Sequence, residues 1–200
     1  MAFIGMRYPV ASPISAIASG GAITYGDGFV VGKAISANIT KNHNTNPLYA
    51  DDTIAEMDNG ITGMTIEFGV DDITDDVRAD LLGLSVVNTT GTTPTVDYYE
   101  ETDAAAPYVG FGYIRVRRKN GTTTYQGTWF HKVQFGENSE AGKTKGENIE
   151  WQTPTLNGTV FGITNDNSGK IKYRDIKSFD TEAAAKNWLN TKAGISTPNG

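Results

Sequence analysis

Two histidines, His43 and His131, are the side chains of this sequence whose ordinary pKa suits proton transfer near neutral pH. His43 falls in an Asn-rich stretch and His131 follows Trp129 and Phe130. Neither has a Ser, Asp or Glu at a spacing that defines a catalytic constellation, so both read as surface or packed histidines. With no cysteine in the chain, thiolate nucleophiles, thiolate metal sites and disulfides are all excluded. Asp51, Asp52, Glu56, Asp58, Asp71, Asp72, Asp75 and Asp76 are hard-cation ligands by type, but none has EF-hand spacing. Helix-dipole complementarity already accounts for Asp75 and Asp76. Gly136 to Thr144 ends in Gly142-Lys143-Thr144, yet five residues separate its glycines where a phosphate loop has four, and strand-like sequence follows. No enzyme activity, cofactor or metal is expected.

Charge is distributed unevenly. The whole chain carries −6, the wrong sign for tight nucleic-acid binding through phosphate neutralisation. From Asp51 to Asp103 there are fourteen acidic residues against the single Arg78. From Ala104 to Gly146 there are seven basic residues against Glu137 and Glu140. An acidic segment and a basic one on the same chain suit heterologous contact between copies as well as neutralisation within one copy. Alternation sends Arg115 and Arg117 to one face of a strand and Arg118 to the other, which favours partner contacts over a nucleic-acid patch.

The elements that must position these groups are mainly β. Gly and Thr are abundant, and Asn-Gly pairs at Asn59-Gly60, Asn120-Gly121 and Asn157-Gly158 each mark a candidate hairpin. Asn120-Gly121 is the best placed, between Tyr108 to Arg118 and Thr123 to Phe135. Met64, Ile66, Phe68 and Val70 alternate with Thr65, Glu67 and Gly69, a strand with one buried face, and Phe29 to Thr40 is its expected partner. Between them, about 41–59 reads as a long inter-strand loop rich in Asn, Asp, Thr and Pro. One α-helix is expected at about 72–83, with Ile73, Val77 and Leu81 on its apolar face. A short C-terminal helix is expected at about 181–192, with Trp188 and Leu189 inward. Two hundred residues fit a single domain, 1–200. No run reaches the ~20 apolar residues of a membrane-spanning helix, and Pro9, Ser12, Pro13 and Ser15 interrupt any signal-peptide core. The four Asn-x-Ser/Thr sequons reflect a Thr- and Asn-rich composition.

Several segments together resemble a known family. Ala50-Asp51-Asp52 with Ala55-Glu56, Leu81-Leu82-Gly83, Pro107-Tyr108-Val109-Gly110-Phe111-Gly112, Trp129 through Phe135 and Thr144 through Pro154 occur in an order and spacing similar to the major tail proteins of long, non-contractile-tailed bacteriophages of Gram-positive hosts. The resemblance runs from about Gly28 to Gly158.

It implies a tail tube fold, a β-sandwich or barrel flanked by a helix. It further implies a structural virion protein, made in the host bacterial cytoplasm, that assembles into hexameric rings stacked as a hollow, DNA-conducting tube. The implied partners are other copies of itself and tail proteins such as the tape measure and tail terminator. No membrane and no tight nucleic-acid binding are expected. By this resemblance the 41–59 loop, with His43, Pro47, Tyr49, Asp51, Asp52 and Glu56, reaches a neighbouring ring. Residues about 1–25, poor in secondary-structure signal, form an extended arm gripping a neighbour, and about 165–200 form a variable C-terminal extension. Glu67 and Asp71 are the candidate lumen-facing charges, since a neutral or negative lumen repels passing phosphates. Arg115 and Arg117 are expected to pair with acidic residues of a neighbouring ring. A β-sandwich carbohydrate-binding or adhesin module is the alternative, with Trp129, Trp151 and Trp188 as a sugar platform. A carboxylate-based glycoside hydrolase is a third class.

Overall fold

The best turn signal in the sequence sits where the two longest antiparallel neighbours meet. In the computed structural model, Asn120 and Gly121 take φ values of 50° and 82°, both positive as a type I′ hairpin turn requires, and Lys119 pairs with Thr122 across the turn. The structure describes residues 2–18, 21–89, 95–101, 105–136, 153–164 and 168–196. In chain order, β1 (Ala2–Ile17), β2 (Ile23–Tyr25), β3 (Phe29–Val30), β4 (Ala34–His43), β5 (Asn46–Ala50), β6 (Thr53–Asp58) and β7 (Ile61–Val70) precede helix α1 (Asp75–Leu82). There follow β8 (Ser85–Thr89), β9 (Thr95–Tyr99), β10 (Tyr108–Lys119), β11 (Thr122–Gly136), β12 (Thr155–Val160), β13 (Ile163–Thr164), β14 (Ile171–Lys172), β15 (Arg174–Phe179) and helix α2 (Glu182–Ala193).

The fold is mainly β and sandwich-like, as expected. Its principal sheet runs β2-β1-β10-β11-β12-β7-β4, with β15 on the first half of β11 and β3 on β1. The expected pairing of β7 with the Phe29–Thr40 segment holds for its later part, β4, where Ala37 lies opposite Phe68 and Ile39 opposite Ile66, while Phe29 and Val30 pair with β1 instead. Met64, Ile66, Phe68 and Val70 are buried. They pack with Phe111, Tyr113 and Phe130 from β10 and β11 into the larger core, where Phe68 meets Phe111 edge-on at 4.9 Å. Ile73 and Leu81 of the α1 region enter the same core.

A second, smaller core lies on the other side of β10 and β11, under α2. Trp129 is its largest member, fully buried with Ile114, Ala185 and Leu189. Room for it comes from two glycines. A methyl group on Gly110 would collide with the Trp129 ring and with Tyr25, and one on Gly112 would lie 2.7 Å from Trp129, 2.8 Å from Leu189 and 2.8 Å from the Thr128 carbonyl. The Gly110-Phe111-Gly112 sequence therefore places one aromatic ring in the large core and leaves the opposite face open for another. Helix α2 begins at Thr181, whose Oγ1 accepts from the Ala184 N–H at 3.3 Å, and it ends before Gly194. Thr181→Ala should cost about 1 kcal/mol, the usual worth of such a cap, readable as a shift in urea midpoint at unchanged slope.

Three expectations need correction. The 41–59 connection is present, but it is no structureless loop: β4 continues to His43, and β5 and β6 pair with each other through a tight turn at Asp51 and Asp52, with φ values of 50° and 62°. Its Asn, Asp and Pro content hid a strand pattern. Residues 1–25 likewise are not a featureless arm. β1 lies inside the sheet between β10 and β2 or β3, with Val10 and Ala11 wholly buried. Pro9 is tolerated because the register shifts between Arg7 and Val10, where Tyr8 adopts φ 57°, while Pro13 stays in register opposite Val109. Finally, of the Asn-Gly pairs expected to mark hairpins, Asn157-Gly158 is strand interior and Asn59-Gly60 joins β6 to β7, which pair with other strands. A Cβ on Gly158 would lie 2.9 Å from each of Ile66, Phe135 and Val133.

Candidate functional site

Among the described residues, the β5–β6 hairpin gathers the most exposed cluster of large apolar side chains. In register, Pro47 lies opposite Met57 and Tyr49 opposite Ile54, so these four occupy one face. Leu48 sits opposite Glu56 on the other. Leu48, Tyr49, Ile54 and Met57 are between 55% and 64% exposed, although clustered large apolar side chains normally seek cover. At the tip, Asp51 and Asp52 are exposed, and Thr53 Oγ1 donates to the Ala50 carbonyl at 3.1 Å. At the base, His43 Nδ1 lies 3.3 Å from the Asn59 carbonyl, and the Asn44 N–H donates to the Gly60 carbonyl at 2.8 Å. The arm is thus a pinned, acidic-tipped apolar hairpin. Five of the six expected contact residues of the loop, Pro47, Tyr49, Asp51, Asp52 and Glu56, are carried by it, and His43, the last residue of β4, sits at its base.

Register builds a second surface. Thr40, Thr65, Thr159 and Gln134 stand in one row across β4, β7, β12 and β11, and Asn38, Glu67 and Asn157 stand in the next. Together they line an open trough of about 580 Å³ in which Glu67 is the one charged lining residue among the described residues. The other polar lining groups are the hydroxyls and amides of these two rows, with Ile66, Ala106, Phe135, Gly136 and Gly158 completing the wall. Gln134 is fixed by donating to the Ala106 carbonyl at 2.8 Å. Tyr108, opposite Gln134 in register, flanks this face and meets Phe161 edge-on at 5.3 Å, with the Lys132 ammonium 3.8 Å over its ring.

Asp71, the other candidate lumen charge, is occupied differently. It accepts from the Lys33 N–H at 2.7 Å and the Asp72 N–H at 2.9 Å, and Lys33 Nζ lies 3.6 Å away. The Lys33 backbone hydrogen bond, foremost, holds its carboxyl below the usual range. Asp71 therefore closes the turn after β7. Arg115 and Arg117 share one face, as alternation requires, with their guanidinium groups 4.1 Å and 5.3 Å from the ring centre of Phe3. Arg115 Nη2 also donates to Gln126 at 3.0 Å.

His131 is packed, as expected. It is 5% exposed, and its Nε2 lies 3.0 Å from Asp175 Oδ1, while Lys192 Nζ of α2 donates to Asp175 Oδ2 at 2.9 Å. Burial lowers the His131 pKa despite the opposing pull of Asp175. Burial alone would raise Asp175, but the Lys192 hydrogen bond and the neighbouring His131 outweigh it and hold the carboxyl low. The group ties β11, β15 and α2 together. A histidine kept neutral in the fold takes up its proton more readily when unfolded. Its contribution is therefore complete above the unfolded value near 6.5 and declines as pH falls toward the lower folded value. Thermal melts from pH 8 to pH 5 should show Tm falling below about pH 6.5, with a shallower fall in His131→Asn.

Tryptophans do not form an exposed platform among the described residues. Trp129 is buried, and Trp188 packs against Phe179 at 5.8 Å. Trp151, the Gly136–Thr144 glycine-lysine stretch beyond Gly136, and most of the 144–154 segment lie outside the described residues. Among the described residues no group of three or more His, Asp or Glu is placed to hold a metal ion, and no helix is long and apolar enough to cross a membrane. Sequence reading missed Leu48, Ile54 and Met57 on the arm. The available signal was a pair of Asp residues flanked on both sides by large apolar ones. It also missed Arg174, which lies in a segment assigned to a variable extension. No protein-family model matches this sequence, and no curated protein matches it.

Proposed function

We propose that this chain is a self-assembling structural subunit of a phage tail tube, built as stacked rings whose lumen conducts DNA. The observation that carries the reading is the β5–β6 arm. A chain of net charge −6 that holds Leu48, Tyr49, Ile54 and Met57 in water has a surface suited to another protein, and a copy of itself supplies one at every step of a polymer. The family resemblance supplies the form of the polymer, and the hexameric ring comes from it alone. The trough face fits the wall of a conduit: among the described residues its lining offers phosphates no fixed cation, and Glu67 repels them. In this reading Glu67 is the lumen charge, while the charge of Asp71 is offset by Lys33. The arm contacts a neighbouring copy, the tape measure and tail terminator are further partners, and the chain has no catalytic role and no cofactor.

Sedimentation velocity over a hundredfold concentration range tests the self-assembly. Species that grow in discrete large steps are expected, and a single monomeric boundary throughout would count against the proposal. A binding module for neutral oligosaccharides is the second reading, favoured by Tyr108 beside the amide-lined trough. Saturable glycan binding by a strictly monomeric protein would select it.

A further inference from the structure

Three arginines converge on one open face of the sheet. Arg115 of β10 lies opposite Gln126, which lies opposite Ser178 of β15, and Arg174 lies opposite Phe130. Arg115, Arg117 and Arg174 therefore stand on the side of the sheet that holds Tyr113 and Phe130. There the buried core gives way to half-buried arginines and to exposed Phe3 and Ile176. Arg174 sits 5.9 Å from the ring centre of Phe130, and burial, with a smaller push from the Arg115 charge, lowers its pKa. Among the described residues no carboxylate forms an ion pair with Arg115 or Arg174. Arg115 Nε is buried with no acceptor. Like charges gathered partly out of water are costly unless an anion joins them.

The chain carries a matching surface. Asp51 and Asp52 are exposed at the arm tip and, among the described residues, form no ion pair. Their left-handed turn is narrow and pre-shaped, with Tyr49 and Ile54 beside it to meet Phe3 and Ile176. Both surfaces also lie at the same end of the sheet. Met64, Val160 and Val133 are in line across β7, β12 and β11. From that line the β7 side runs on into the arm, and β11 runs on, in the same direction, to its turn with β10.

We propose that the face holding Arg115 and Arg174 is the seat for the acidic arm tip of a second copy lying alongside at the same height. Each copy then gives its arm to one neighbour and its arginines to the other. This is a heterologous contact that closes into a ring without axial displacement. The inference rests on the self-assembly proposed above, and it assigns the arm to contacts within a ring, where the family resemblance pointed to contacts between rings.

The absence of cysteine makes a direct test possible. Thr53→Cys beside the arm tip and Ser178→Cys on the arginine face add two thiols and leave both charge sets intact. Dibromobimane, a short thiol-to-thiol cross-linker, is expected to join copies into a covalent series that ends at one ring size on a denaturing gel. Mixing the two single-cysteine chains should give covalent dimers, which only contact between copies can produce. Asp51→Lys with Asp52→Lys should lower the yield at least tenfold, and adding Arg115→Glu with Arg174→Glu to the same chain should restore it. Arg115→Gln with Arg174→Gln, checked for folding by circular dichroism, should lower the yield if the glutamates disturb the sheet. Yields indifferent to charge reversal, or a series with no upper limit, would overturn the side-by-side seat. If the unmodified protein still forms large assemblies in those cases, the tube reading stands without it. Monomers at every concentration, together with no covalent product, would overturn both.

Discussion

Replacing Trp129 with alanine should destabilise the fold by about 3–5 kcal/mol, the range for truncating a large buried aromatic. For a chain of this size that is a fall in Tm of roughly 6–20 °C. The indole is fully buried between β10, β11 and α2. It meets the Tyr25 ring edge-on at 5.3 Å and donates from Nε1 to the Tyr25 hydroxyl at 3.3 Å. That hydroxyl donates in turn to the His131 carbonyl at 2.9 Å, and burial pushes its pKa up to about 12. Truncation removes ring contacts on every side and leaves a buried hydroxyl short of a donor. The same site makes a second, linked statement. Gly112→Ala should cost about 1–3 kcal/mol alone, because its methyl meets Trp129, Leu189 and a backbone carbonyl. In the Trp129→Ala background the methyl enters the vacated space and should cost clearly less. A double-mutant cycle in urea reads the coupling. Additive effects would mean that Gly112 is present for some reason other than the ring.

The second large effect concerns association and leaves stability alone. Tyr49→Ser, Ile54→Ser and Met57→Ser combined remove three apolar side chains from the arm, each at least 55% exposed. The folded subunit loses little, so Tm of the unassembled protein should move by no more than about 2–4 °C, the equivalent of 1 kcal/mol. At an interface each such side chain contributes on the order of 1.5–3 kcal/mol when fully covered. The triple variant should therefore weaken self-association at least ~100-fold, two decades at about 1.4 kcal/mol each. Light scattering across a concentration series checks this. Unchanged assembly would show that the arm is not the adhesive element.

How far the sequence revealed this arrangement depended on how local the signal was. The β10–β11 ribbon was legible because Asn120-Gly121 names its turn type and the flanking runs are long. β7 was legible because four apolar residues alternate without interruption, and α2 because Thr181 and Gly194 bracket an alanine-rich face. β1 was not, since Pro9 and Pro13 argue against a central strand, and the register shift at Tyr8 that accommodates Pro9 is a feature of the fold and not of the local sequence. The arm was concealed because its apolar residues are spread over two short strands on either side of an Asp-Asp turn. The trough could not be read at all. Asn38, Glu67, Asn157, Thr159 and Gln134 come from four strands, and their alignment exists only once register is known. The arginine face has the same origin: Arg115 and Arg174 are distant in sequence and share a surface through β11.

Tyr98 adds a smaller link of this long-range kind. Its hydroxyl donates to Asp76 at 2.6 Å and fastens the β8–β9 hairpin to α1. That hydrogen bond, to an acidic helix start, pushes the tyrosine pKa up to about 12.

Self-association into a hollow polymer is the central claim, and negative-stain electron microscopy of the concentrated protein addresses it most directly. The account predicts rings and stacked tubes of constant diameter with a stain-filled lumen, and their loss in the Tyr49, Ile54 and Met57 triple variant. Dispersed single subunits at every concentration, or solid aggregates with no lumen, would contradict it.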